Sequence, residues 1–205
     1  MRAESGRRTA RAAIALLSAL AGATLALVAS VGHAEIHNYE MSDLQRIADA
    51  DTMVMMPMRD GVRLATDIYR PKDAKAKLPV ILIKTPYNFN KLEGTQLQWV
   101  YEAVSRGYAV AIQNERGRYY SEGKWQLLGN PRTDGYDALT WLADRDWSNG
   151  NIGTWGCSSS AEWQLALAAQ KHPAHKAMVP MSAGAGIGRV GEFHEQGNWY
   201  KGGVH

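Results

Sequence analysis

From Val80 onward the sequence alternates short, unbroken apolar runs with helix-like segments, and this alternation restricts the fold more than any other feature of the chain. In "LPVILIKTPY" the run Val80 to Ile83 is continuously apolar, the pattern of a strand buried on both faces. Glu93 to Arg106 suits a helix that stops before Gly107, and "YAVAIQNERG" supplies the next buried strand. The cycle then repeats. Asp134 to Asp144 reads as a helix with Tyr136, Ala138, Leu139 and Leu142 for its inner face, Asn149-Gly150 punctuates, and "NIGTW" is strand. Ser159 to Lys171 is helix again, His172-Pro173 stops it, and "KAMVPMSA" is a further strand. Strand, helix and parallel strand connect by right-handed crossovers, so the fold class predicted is α/β with a mainly parallel sheet. Upstream, "TMVMMPMRDGVRLATDIYRP" places Asp60-Gly61 between two β-type runs, which predicts an opening antiparallel hairpin. Glu35 to Asp51 is a polar lead-in with room for a short helix.

In an open parallel sheet, functional groups collect beyond the carboxyl ends of the strands. One such end is "GTWGCSSSAEW", where a strand turns directly into a helix. A residue at the crest of so sharp a turn is strained and exposed, and the residues two before and two after it must be small. Centring the turn on Cys157 puts Trp155 at a small position, and centring it on Ser160 puts Glu162 there. Ser159 would be flanked by Cys157 and Ala161, Ser158 by Gly156 and Ser160. Glycine is the better fit, which selects Ser158 as candidate nucleophile. At that position it adjoins the N-terminal end of the next helix, where the backbone N–H of Ser159 is placed to meet an oxyanion.

A serine is inert at neutral pH without a base such as histidine, itself oriented by a carboxylate. The histidines after Ser158 are His172, His175, His194 and His205. The first two follow the helix that leaves the crest by about three turns, so they are expected at the opposite edge of the sheet, on the surface. The other two sit in a Gly-rich tail from Gly184, and no strand-plus-loop unit carrying an acid precedes either. No triad closes on sequence alone.

Charge narrows the partners. The chain has 23 Lys and Arg against 20 Asp and Glu, but residues 1–34 hold four arginines and one glutamate, so the remainder is near neutral and nucleic-acid binding gains no support. Arg2, Arg7, Arg8 and Arg11 precede an apolar run from Ala12 to Val31, and Gly32 and Ala34 suit a cleavage site. This reads as a secretory signal peptide, which implies a periplasmic or secreted protein without stable membrane association once it is cleaved. A membrane anchor is the alternative, and Arg7-Arg8 is a weak hint of twin-arginine export. A single cysteine, Cys157, can form no internal disulfide. The organisation expected is a leader (1–34), a lead-in (35–52), the α/β region (53–183) and a distinct tail (184–205).

The stretches "RDGVRLATDIYRP", "PVILIKTPYN", "QNERGRYYSEGKW", "DGYDALTWLADRDWSNGNIGTWGCSSS" and "HPAHKAMVP" together resemble the X-Pro dipeptidyl-peptidase and bacterial cocaine-esterase family of α/β-hydrolases. The resemblance implies a serine hydrolase of acyl bonds whose substrates are small esters, amides or short X-Pro peptides, with no cofactor. Of the family's Gly-x-Ser-Tyr-x-Gly elbow, Gly156 and Ser158 are present, while Ser159 and Ala161 replace the tyrosine and the last glycine. The family's Pro-Tyr pair matches Pro86-Tyr87, which implies that the Tyr87 hydroxyl is the second oxyanion donor. A phenol suits that task, since Pro86 has no N–H to offer. The family's Asp and His follow a helical cap on later strands, so the resemblance implies that this chain holds the nucleophile half, stopping before the cap and last strands. The competing reading is a catalytically incomplete fragment or a non-enzymatic module on the same fold.

Three further features read as structural. Asp144 to Gly150 has a calcium-loop look, but its glycine falls one position late and no acid closes it, so a turn is expected. His172-x-x-His175 is interrupted by Pro173 and lacks a third metal ligand. Glu115-Arg116-Gly117-Arg118 ends a buried strand and could form an ion-pair network behind the site, and Cys157 is expected to be a buried small side chain.

Overall fold

The computed structural model describes residues 38–89, 91–126 and 130–183 of the 205-residue chain. The leader at 1–34 and the tail at 184–205, with His194 and His205, lie outside the described residues. Among those described, helix α1 (Met41–Ile47) leads into strands β1 (Ala48–Pro57), β2 (Arg63–Pro71) and β3 (Leu78–Thr85). Helix α2 (Gly94–Ser105), β4 (Ala109–Asn114), a π-helical turn (Pro131–Gly135), α3 (Tyr136–Ala143), β5 (Ser148–Cys157), α4 (Ser159–Ala168) and β6 (His175–Met181) follow. The six strands form one sheet in the order β1-β2-β4-β3-β5-β6. β2 runs antiparallel to β1 and β4, and β3, β4, β5 and β6 are mutually parallel. This is the mainly parallel α/β sheet with an antiparallel opening that the alternation predicts. No helix among the described residues is long and apolar enough to cross a membrane.

The opening hairpin closes as Asp-Gly chemistry requires. The Asp60 carboxylate accepts from the Val62 N–H at 3.2 Å, and Gly61 takes φ +84°, a conformation in which a side chain would be strained. Alternate residues of the central strand β3 then face opposite layers. Val80 and Leu82 join Leu139, Leu142, Trp163 and Leu167 of α3 and α4. Ile81 and Ile83 pack with Leu97, Val100 and Val104, the i, i+3, i+7 stripe of α2. A sheet covered on both faces explains why its strands read as continuous apolar runs.

Four local readings need correction. The polar lead-in does form a short helix, but β1 already begins at Ala48, and its first half is an exposed edge whose polar residues show no alternation. Asn149-Gly150 does not precede β5 but lies within it, in a bulge where Ser148 to Ile152 oppose only Leu78 to Val80 and Gly150 takes φ +78°. α4 ends at Ala168, short of Lys171. His172 is buried rather than exposed: its ring meets Tyr136 edge-on at 4.3 Å and its Nε2 lies 2.9 Å from the Thr140 hydroxyl.

Towards the carboxyl ends of the strands the core becomes polar. Thr66, Gln113 and Lys84 are register neighbours across β2, β4 and β3, and all three are buried. The Lys84 ammonium donates to Gln113 Oε1, and Gln113 Nε2 donates to Thr66 Oγ1 at 3.0 Å. Just beyond β4 the fully buried Glu115 accepts from Trp125 Nε1 at 3.2 Å. Arg116 is gripped on two sides, with Asp134 at 2.7 Å and 2.9 Å and with Asp60 at 2.7 Å and 3.1 Å, so the hairpin turn is tied to the π-helical turn that leads into α3. Of the "ERGR" charges, Arg116 thus forms ion pairs behind the carboxyl edge as expected, whereas Glu115 bonds to Trp125 and Arg118 to the Pro86 carbonyl. Desolvation lowers the Lys84 pKa to about 8, against the pull of Asp134 and Glu115. It raises that of Glu115 to about 6, with Lys84 and the Trp125 hydrogen bond opposing.

A carboxyl whose folded pKa exceeds its unfolded value contributes stability fully present below the unfolded pKa and lost as pH rises through the folded one. For Glu115 that window runs from about pH 4.5 to just above 6. Glu115→Gln keeps an acceptor for Trp125 and removes the titration. Measured by urea unfolding, the stability of the natural protein relative to this variant should therefore fall by about 2 kcal/mol between pH 4 and 7. A difference that stays flat would show that Glu115 keeps an ordinary carboxyl's proton affinity.

Candidate active site

Ser158 stands between the last residue of β5, Cys157, and the first residue of α4, Ser159. Its backbone takes φ 57° and ψ −129°, a strained combination for a residue with a side chain, and it is exposed. The surrounding chain leaves it little freedom. The Ser158 N–H donates to Met181 O at the end of β6 at 3.0 Å, and the Ser158 carbonyl accepts from Ala161 N at 2.8 Å and Glu162 N at 3.2 Å. The steric rule used to choose among the serines is visible directly: a Cβ on Gly156 would lie 2.1 Å from the carbonyl oxygen of Ser160 and 2.8 Å from its Cβ. The residues two before and two after Ser158 approach closely across the turn, and because the obstacle is the Ser160 backbone it is position 156 that has to be glycine.

Tyr87 lies just past the end of β3, on the parallel neighbour of β5, so the topology brings it to the same edge. Its ring is half exposed. Ser158 and Tyr87 line one cavity of about 240 Å³, together with Thr85, Gln96, Trp99 and Cys157. Cys157 is therefore not the fully buried side chain expected but a half-buried part of that wall. Ser159 opens α4, where the first amides have no partner within the helix and the positive end of the helix lies closest to the Ser158 side chain. Thr85, Gln96 and Trp99 were missed from the sequence; only Thr85, the last residue of β3 and two before Tyr87, could have been read from alternation.

No described histidine reaches this cavity. His175 opens β6 and Ser158 is bonded to its last residue, Met181, which puts the imidazole about 20 Å away along the strand. Its Nε2 is 3.0 Å from the Thr154 hydroxyl. Desolvation lowers the pKa of both His172 and His175. Among the described residues no group of three His, Cys, Asp or Glu side chains could hold a metal ion. Of the Asp144 to Gly150 segment, Asp144 to Trp147 is a turn and the rest is the start of β5, with the Asp146 carboxylate accepting from Trp147 N at 2.8 Å.

With this geometry in view, the comparisons with known proteins converge. A family model described as X-Pro dipeptidyl-peptidase (S15 family) matches residues 60–205. The cocaine esterase of Rhodococcus sp. (strain MB1 Bresler) is 40% identical over 142 residues, which cover 67% of this chain and 24% of the esterase. The solved structure of an α-amino acid ester hydrolase is 28% identical with a TM-score of 0.62, over 79% of this chain and 29% of that one. An aminopeptidase from a marine-sediment Thaumarchaeota archaeon is 26% identical with a TM-score of 0.59, over 79% and 30%. The chain spans about a quarter of the length of the curated relatives it matches. Since the matched region runs from the hairpin turn through every element that lines the cavity, the chain belongs to the X-Pro dipeptidyl-peptidase (S15) family.

Proposed function

We propose that the chain carries the nucleophile and oxyanion-binding part of a serine hydrolase that cleaves acyl bonds in small esters, amides or X-Pro peptides. The observation that carries this reading is the strained, exposed crest at Ser158, which exists only because Gly156 lets the chain fold back onto Ser160. In this scheme Ser158 Oγ attacks the substrate carbonyl carbon while its proton passes to a histidine base. The oxygen that becomes negative is held by the Ser159 N–H and the Tyr87 hydroxyl. Collapse expels the alcohol or amine, which takes the proton back from the base, and water then releases the acyl group by the same route in reverse. The base has to come from outside the described residues, since neither His172 nor His175 lines the cavity, and the resemblance implies that its orienting acid lies on a later strand too. A leader of the kind read at residues 1–34 places this activity in the periplasm or outside the cell.

The names of the relatives, an esterase, an amino-acid ester hydrolase and an aminopeptidase, favour acyl transfer over any other chemistry, and they differ in leaving group. That difference fits a shared half-site that handles attack and charge, with leaving-group selection residing elsewhere.

A fluorophosphonate probe should label the complete gene product at Ser158 and leave Ser158→Ala unlabelled; labelling that persists in Ser158→Ala rejects the nucleophile. Gly156→Ala should label at least tenfold more slowly, because its new methyl meets the Ser160 carbonyl and the crest has to distort. On a chromogenic ester, Tyr87→Phe should lower kcat by about 10²-fold with KM nearly unchanged, as expected for loss of one oxyanion donor.

A further inference from the structure

The Tyr87 ring is half exposed, so packing alone does not fix where its hydroxyl sits. What is fixed is the backbone beneath it. Between the carbonyl of Thr85 and that of Tyr87, each main-chain polar group has a partner. Thr85 O accepts from Glu115 N at 3.0 Å and from Asn114 Nδ2 at 3.3 Å. Pro86, which has no N–H, has its carbonyl held by Arg118 Nε at 3.0 Å. The Tyr87 N–H donates to Thr85 Oγ1 at 3.1 Å, and Tyr87 O accepts from Asn114 Nδ2 at 2.8 Å. Thr85 closes the β3 ladder and the other groups lie past its end, where strand carbonyls ordinarily turn to water.

We propose that Asn114 and Arg118 are positioning residues, which set the Tyr87 hydroxyl over the cavity by clamping the Thr85-Pro86-Tyr87 turn. The inference rests on the reading of Tyr87 as an oxyanion donor. Asn114 carries the clearest sign of such a task. Two carbonyl oxygens face its side chain, so only the amide nitrogen can be turned towards them. Its Oδ1 is thereby left buried without a partner, a desolvation cost that a purely structural position would shed. Its own carbonyl is anchored by Ser121 Oγ at 2.9 Å, and Ser121 in turn accepts from Ala65 N at 2.9 Å, so the clamp is referred back to β2. Arg118 is braced differently. Its guanidinium lies over the rings of Tyr119 and Trp125, 5.6 Å and 5.4 Å from their centroids, which holds the plane that aims Nε at Pro86.

A double-mutant cycle in the complete gene product separates this proposal from the reading it rests on. Arg118→Met keeps most of the side-chain length and removes the donor to Pro86. In the presence of Tyr87 it should lower kcat on a chromogenic ester about tenfold with KM changed less than about twofold; in the Tyr87→Phe background the further loss should be less than about twofold. An equal loss in both backgrounds overturns the positioning role and leaves the oxyanion reading intact. If Tyr87→Phe itself leaves kcat unchanged, the oxyanion reading fails and the clamp loses its purpose with it. Should Arg118→Met not fold, as judged by circular dichroism, Arg118→Lys serves the same cycle. It retains the charge and lacks the planar Nε donor, and the same pattern of coupled or uncoupled loss decides.

Discussion

The contact between Gly156 and Ser160 is the constraint on which the rest of the site depends. Strand β5 can pass into helix α4 without a loop only if the chain reverses within about three residues, and the reversal forces the residues on either side of its crest together. Position 156 has to lack a side chain, position 160 has to be small, and the crest itself has to adopt a positive φ that costs about 1–3 kcal/mol. Such strain persists only where the surroundings over-determine it. Here they do: Trp163 on α4 is fully buried against the sheet, and the Ser158 amide is bonded to the end of β6, so neither flank can relax without disturbing core packing. The same packing that stabilises the fold holds one hydroxymethyl group in the open.

A second constraint follows from the first. If chemistry is to be done at the carboxyl edge of the sheet, that edge cannot be purely apolar, yet its backbone has to be as rigid as a core. The chain reconciles the two with a buried polar stratum: the Thr66, Gln113 and Lys84 rung across three strands, then Glu115, then Arg116 between Asp60 and Asp134. Lys84, Gln113, Thr66 and Arg116 are satisfied chiefly within this stratum, which is what allows charge to lie where water does not. Glu115 leans on Trp125 and keeps one buried oxygen unpaired. The opposed shifts of Lys84, downward, and Glu115, upward, are the residual cost of that burial.

How much of this was legible in the sequence depended on whether the signal was local. The hairpin at Asp60-Gly61, the buried strands β3 and β4, the α2 stripe and the choice of Ser158 each rest on a few neighbouring residues, and a local steric or periodic rule suffices to read them. His172 was misplaced because its burial comes from Tyr136 and Thr140, more than thirty residues earlier, which proximity to Pro173 could not reveal. Gly150 misled in the opposite sense, since a glycine that terminates a strand and one that allows a bulge look alike until the partner strand is known. Lys84 did leave a trace: a lysine inside an otherwise apolar strand either ends the strand or is buried with partners, and the apolar run before it favoured neither.

Asn114 shows where sequence reading stops altogether. On β4 it follows an apolar run and precedes a charged turn, so it passes for the polar residue at which a strand surfaces. Its importance is topological. The parallel pairing of β3 with β4 sets Asn114 opposite Thr85, and from there one amide spans the two carbonyls that bracket Pro86. A one-residue slip in that pairing would turn the amide to the other face of the sheet and leave those carbonyls unheld. The register of two central strands, which apolar packing on both faces imposes, is therefore also what decides the seat of a phenol in the cavity. Fold stability and site geometry are here set by the same hydrogen-bond ladder, and neither can be altered alone.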